Sequence, residues 1–167
     1  LELAREVESH IRSAGDPRAL LLFFLLRYGS VLDVAGRSRD ALDQYEKALG
    51  LTEPGSREWI QARAEIGTAH VSLGEWEKAA EVLTDTLPRM RELYGAVPPT
   101  ANVQLNLASA EFRLGKLDSA LERATAARAI YVKYMGAEHR SVSFCDDTLG
   151  QILSARGEEE AAYQHFE

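Results

Sequence analysis

Gly67-Thr68-Ala69-His70-Val71-Ser72-Leu73-Gly74-Glu75-Trp76-Glu77-Lys78-Ala79 places small residues at intervals of seven and then five, at Gly67, Gly74 and Ala79. The same frame stands at Gly29, Gly36 and Ala41, at Ala108, Gly115 and Ala120, and at Gly150, Gly157 and Ala162. The steps between units are 38, 41 and 42 residues, a period at which repeat architectures are built. The first small residue has apolar neighbours at helical spacing, as in Leu25, Tyr28, Gly29 and Leu32. Glycine inside a helix costs about 1 kcal/mol against alanine, so its recurrence in three units predicts that the backbone of another helix comes close. The second glycine, in Ala35-Gly36-Arg37, Leu73-Gly74-Glu75, Leu114-Gly115-Lys116 and Arg156-Gly157-Glu158, follows an amphipathic run. It suits the left-handed residue that ends a helix. The alanine five residues later falls in the first turns of a second helix, where leucine would overpack a close approach.

Helix pairs follow from this frame. Asp16-Pro17 reads as an N-cap followed by proline at the first helical position, opening a helix to about Val34, with a second from about Ser38 to Leu51. The next pairs are predicted over about 57–73 with 76–94, 99–114 with 117–134, and 140–156 with 159 to the end. Residues 1–13, with Leu1, Ala4, Val7 and Ile11 on one face, read as the second helix of a truncated preceding unit or as a capping helix. The domain expectation is one unit over 1–167, divided into 1–16, repeats at 17–55, 56–97 and 98–138, and an incomplete repeat at 139–167. Pro88 falls inside a predicted helix, where it removes a backbone bond, so a kink or split is expected near Thr84–Pro88. No strand pattern is present, and the fold class expected is all-α. Helix pairs repeated in register cannot each bury an apolar face alone, so they stack as a solenoid.

Composition narrows the function. With 46% hydrophobic and 27% charged residues the chain reads as an ordinary globular protein. Its formal charge of −7 opposes a nucleic-acid partner, which requires a basic stripe to displace counterions. The most apolar stretch, Ala19 to Leu26, ends at Arg27 and is far short of the roughly 20 residues that cross a bilayer. Cys145 has no second cysteine to pair with; it reads as a small buried hydrophobe in a reducing, cytoplasmic setting. Leu1 and Glu167 both look like cuts in a longer protein.

The pattern resembles the tetratricopeptide repeat: a small residue in the first helix, glycine at the turn, alanine early in the second helix, and a large residue four positions on at Tyr45, Leu83 and Phe166. A further alanine seven after the first is filled by Ala48 and Ala127, and Thr86 replaces it in the second unit. The longer steps, and the closing segments Leu93–Pro99 and Tyr134–Arg140, resemble the variety found in kinesin light chains and bacterial signalling proteins. That variety reads Gly-x-x-His-Pro followed by Asn-Leu-Ala, matched here by His139 and by Asn106-Leu107-Ala108. The chain departs from it at Arg140 and Pro98, and at Arg63, Gln104 and Asp146, where a large apolar residue is usual.

The resemblance implies a right-handed α-α superhelix of antiparallel helix pairs whose first helices line a concave groove. Carried over by position, the groove face holds Phe23, Leu26, Arg27 and Ser30; Gln61, Glu65, Thr68 and Ser72; Asn102, Asn106, Ser109 and Arg113; and Phe144, Asp147, Thr148 and Gln151. Amide side chains offer a peptide backbone both donor and acceptor, and Asn106 is the leading single candidate; Phe23 or Phe144 would supply an anchor. The Lys and Asn pairs with which some relatives clamp a C-terminal carboxylate are absent.

No catalytic or metal chemistry is predicted. His10, His70, His139 and His165 are too scattered for a helical metal pair, and no cofactor is expected. His70 reads as a packed histidine at a position where the family often has tyrosine. Asp146 and Asp147 project about 100° apart around a helix, unsuited to acid/base partnership. Glu158, Glu159 and Glu160 favour a helix N-terminus. The function expected is a non-catalytic protein- or peptide-binding scaffold in a larger regulatory or signalling protein. The alternative is a structural spacer or self-association element that meets other copies through its ends.

Overall fold

The computed structural model describes residues 16–166, all eight of whose regular elements are helices. They run α1 Pro17–Val34, α2 Ser38–Gly50, α3 Arg57–Ser72, α4 Trp76–Tyr94, α5 Pro98–Arg113, α6 Leu117–Met135, α7 Arg140–Ala155 and α8 Glu159–Phe166. Each boundary falls within about two residues of its sequence expectation. The helix expected over residues 1–13 lies outside the described residues.

Local chemistry sets the starts and stops. The Asp16 carboxylate accepts from the Arg18 N–H at 2.9 Å, ahead of Pro17, which opens α1. Ser56 accepts from Trp59 N–H at 3.1 Å and caps α3. His139 caps α7 through its ring, Nδ1 accepting from Ser141 N–H at 3.1 Å. Gly36, Gly74, Gly115 and Gly157 all have φ between 70° and 79°. At the first of these, Gly36 N–H donates to Asp33 and Arg37 N–H reaches back to Leu32 at 2.8 Å. The other three turns repeat this doubly bonded helix ending.

Within each pair, the small residue of the first helix faces the residue sixteen positions later. A Cβ added to Gly29, Gly67 or Gly150 would come within 3.0 Å of the side chains of Tyr45, Leu83 and Phe166 respectively. The glycines therefore make room for a large side chain of the second helix, where an approach of backbone to backbone was expected. The third unit inverts the sizes: Ala108 carries a methyl, and the residue sixteen on is Ala124, both fully buried in one cluster. Two small residues there stand where the other units use none and a large one. The frame alanines Ala41, Ala79 and Ala120 are 0% exposed.

Successive pairs share their cores. Ile60 of α3, Leu83 and Leu87 of α4 and Val103 and Leu107 of α5 form one cluster, so no pair buries its apolar face without the next. Pro88 does not split α4, which continues to Tyr94. Both Pro88 and Thr84, whose carbonyl loses its donor to the proline, are exposed, so the unpaired carbonyl is not shut away from solvent.

Polar residues at apolar positions are mostly paired. Arg63 reaches Asp85 at 3.0 Å and lies 4.7 Å from the Trp59 ring centroid. Asp146 accepts from Arg128 and from His165, each at 2.7 Å. Gln104 is buried, and its side-chain carbonyl has no partner among the described residues. Between the first and second units, Glu75 receives Arg39 of α2 at 2.6 Å, Lys78 of α4 at 3.1 Å and His70 of α3 at 2.8 Å. These bonds, the Arg39 contact foremost, hold its carboxyl well below the usual range, at about 2. Cys145 is buried, and desolvation raises its thiol to about 12.

Two outcomes follow. Ala124→Leu should destabilise the protein by about 1–3 kcal/mol through overpacking against Ala108, and adding Ala108→Gly should recover most of that loss. Urea unfolding of both singles and the double checks this; equal effects of Ala108→Gly in the two backgrounds would contradict the size pairing. The Glu75 contribution is fully present above its ordinary value of 4.5 and is lost as pH falls toward about 2. Glu75→Gln should therefore flatten the decline of stability over that interval, measured by urea midpoints at each pH.

Candidate trough along the first helices

The first helices α1, α3, α5 and α7 touch their neighbours in succession, whereas among the described residues no second helix touches another second helix. Elements that meet lie on the tighter side of a bend, so the first helices line the concave face. α4 and α6 have 19 residues each against 13 in α2. The last turn of α4 thereby reaches the end of the trough.

Gln61, Glu65 and Thr68 of α3 and Asn102 of α5 are brought together around a cavity of about 310 Å³. Its apolar surface comes from Ala64 and Val103 on the same helices and from Met90, Tyr94 and Pro99. The last three were not among the sequence candidates. For Tyr94 and Pro99 the signal was the long closing segment Leu93–Pro99, which returns the chain past the trough; Met90, inside α4, had none. Asn106 Nδ2 donates to Thr68 Oγ1 at 2.9 Å, and the Thr68 hydroxyl donates to the Ala64 carbonyl at 3.0 Å. Asn106 is thus half-buried and ties α5 to α3.

A second cavity of about 460 Å³ lies between α1, the Leu51–Ser56 turn and α3, where Phe23 and Leu26 come together with Gln61. Arg27 is exposed, with its guanidinium 5.3 Å from the Phe23 ring centroid. Ser30, Ser109, Arg113, Phe144, Asp147 and Gln151 line neither cavity. Ser30, Asp147 and Gln151 are exposed. Ser109 donates to the Leu105 carbonyl at 3.0 Å, and Arg113 lies 5.4 Å from the Trp76 ring centroid. Phe144 is 48% exposed beneath the Arg140 guanidinium at 4.9 Å. Thr148 donates to the Phe144 carbonyl at 2.9 Å, and Ser72 is exposed.

Glu65 sets the electrostatics of the smaller cavity. Burial raises its carboxyl above the ordinary value, the charge of Asp33 adds to the rise, and Arg27 opposes it. Among the described residues no three His, Cys, Asp or Glu side chains are placed to hold a metal ion. None of the described helices is long and apolar enough to cross a membrane.

Residues 99–167 match the sequence profile of the tetratricopeptide repeat family. A kinesin-light-chain-type structure of nearly identical tetratricopeptide-like repeats from Podosopora anserina superposes with a TM-score of 0.75 at 18% identity, covering 91% of this chain and 74% of that one. A Rap protein complexed with competence and sporulation factor superposes with a TM-score of 0.75 at 19% identity, over 95% of this chain and 44% of that one. In sequence, the chain is similar to the secreted RxLR effector protein RXLR-C07 of Plasmopara halstedii, 28% identical over 108 residues. That match takes in 64% of this chain and about a third, 32%, of the effector. The spaced small residues, the profile match over residues 99–167 and the stacking of the helix pairs converge on the fold of a tetratricopeptide-repeat superhelix.

Proposed function

We propose that this chain is a non-catalytic scaffold, part of a larger regulatory or signalling protein, and that it binds a polypeptide segment along the trough of its first helices. The observation that carries the proposal is the cavity between α3 and α5, where the exposed amides of Gln61 and Asn102 border an apolar floor. Primary amides present donor and acceptor together, matching the alternating N–H and C=O groups of an extended backbone. The floor of Met90, Tyr94 and Val103 gives an apolar side chain of the segment a place to leave water. The Rap protein of similar fold is itself complexed with a factor, which supports a holding role for this architecture. Rigid helices on both sides keep the trough open before binding, so little ordering cost falls on the scaffold.

Gln61 and Asn102 are the residues to remove, because neither is buried. Asn106→Ala would also break the link to Thr68, mixing binding with stability. Peptides selected from a displayed random library on the 167-residue chain, then titrated as synthetic peptides, should bind Gln61→Ala and Asn102→Ala about tenfold more weakly each. Far-ultraviolet circular dichroism should be unchanged in both variants. Selected peptides that bind both variants as tightly as the parent would place the binding surface elsewhere.

A further inference from the structure

We infer that the cavity between α3 and α5 receives a basic side chain, lysine or arginine, from the bound segment, with the Glu65 carboxylate as its counter-ion. This rests on the reading of the trough as a polypeptide-binding surface and specifies what that surface selects.

Glu65 is half-buried at the cavity wall, and among the described residues it accepts no hydrogen bond and forms no ion pair. The other covered acids among the described residues each have a bonded partner: Asp33 accepts from the Ser38 hydroxyl at 2.6 Å and Asp40 from Arg37 at 2.6 Å. Glu75, Glu111 and Asp146 are each bonded to at least one cation. Removing a carboxylate from water without such a partner is unfavourable, and the nearby negative charge of Asp33 adds to the cost. The opposing cation is Arg27, whose guanidinium lies over the Phe23 ring and makes no ion pair with Glu65. The carboxylate therefore faces the cavity with no cation bonded to it, its charge offset only in part by the more distant Arg27.

The remaining surface suits the same guest. Met90, Tyr94 and Pro99 supply an apolar wall against which the methylene stem of lysine or arginine packs while its head reaches the charge. The Tyr94 ring already carries the Arg57 guanidinium at 5.4 Å from its centroid, so this wall accepts a cation beside it. The side-chain carbonyls of Gln61 and Asn102 add acceptors for the N–H donors of the guest. A net charge of −7 draws basic segments toward the chain over distance. An acidic guest would be repelled by Glu65 and, behind it, by Asp33.

The probes are peptides selected from the displayed library on the parent chain, resynthesised with citrulline for each arginine or norleucine for each lysine, one position at a time. One substitution should weaken binding to the parent by about tenfold, and the same substitution should have little effect on binding to Glu65→Gln. Glu65→Gln keeps the shape of the side chain and removes a half-buried charge, so its fold is expected to survive, and circular dichroism checks this. Peptides that need Gln61 and Asn102 but lose nothing on neutralisation, or that bind Glu65→Gln unchanged, would overturn the counter-ion role and leave the trough reading standing. Failure to select any peptide that needs Gln61 or Asn102 would overturn both.

Discussion

The pairing of a small residue on each first helix with the residue sixteen positions on in the second helix sets how deeply the two helices of a pair interlock. Gly29 with Tyr45, Gly67 with Leu83 and Gly150 with Phe166 place a large side chain into a notch that a methyl group would fill. Interiors are packed near crystal density, so this contact is sensitive to single atoms. Ala108 with Ala124 reaches a buried interface from two small side chains instead. In all four units the helix pair closes, which allows the next pair to lean on it.

That closing geometry produces the trough. Among the described residues first helices meet first helices, second helices stand apart, and the face with the shorter spacing becomes concave. Side chains projecting from this face have no further element to cover them, so polar residues such as Gln61 and Asn102 occupy it without desolvation cost. Glu65, one turn on from Gln61, sits deeper because α5 and the last turn of α4 rise beside it. Its unpaired carboxylate is the clearest point at which the trough departs from a merely solvated surface.

Electrostatic links substitute for apolar contacts where the repeat departs from its pattern. Arg63, with Asp85 and the Trp59 ring, and Asp146, with Arg128 and His165, replace the apolar residues usual at their positions. Each replacement takes its ion-pair or hydrogen-bond partners from a neighbouring helix, with Trp59 of the same helix adding its ring to Arg63, which limits the desolvation penalty. Among the described residues Gln104 has no such partner for its carbonyl, and the structure offers no physical account of why it is tolerated. Glu75 serves differently, joining α2, α3 and α4 at a turn and so tying two units at their edge.

The spacing of glycines and alanines, together with capping and proline positions such as Asp16-Pro17, was enough to determine the helix boundaries, the turn conformations at Gly36, Gly74, Gly115 and Gly157, and the division into pairs, because these depend on local backbone preferences and on a period visible along the chain. Cys145 was legible as a packed residue because no histidine or basic residue flanks it in sequence, and His70 because it stands where the tetratricopeptide pattern often has tyrosine. Only the tertiary structure decided what the notches hold, that α4 passes Pro88 unbroken, that Asn106 spends its amide on Thr68, and that Met90, Tyr94 and Pro99 close a cavity around Glu65. Those outcomes depend on which side chains from different helices come within a few ångströms of one another. A one-dimensional period fixes where each helix starts and which way it faces, but not the depth to which its neighbour sinks into it.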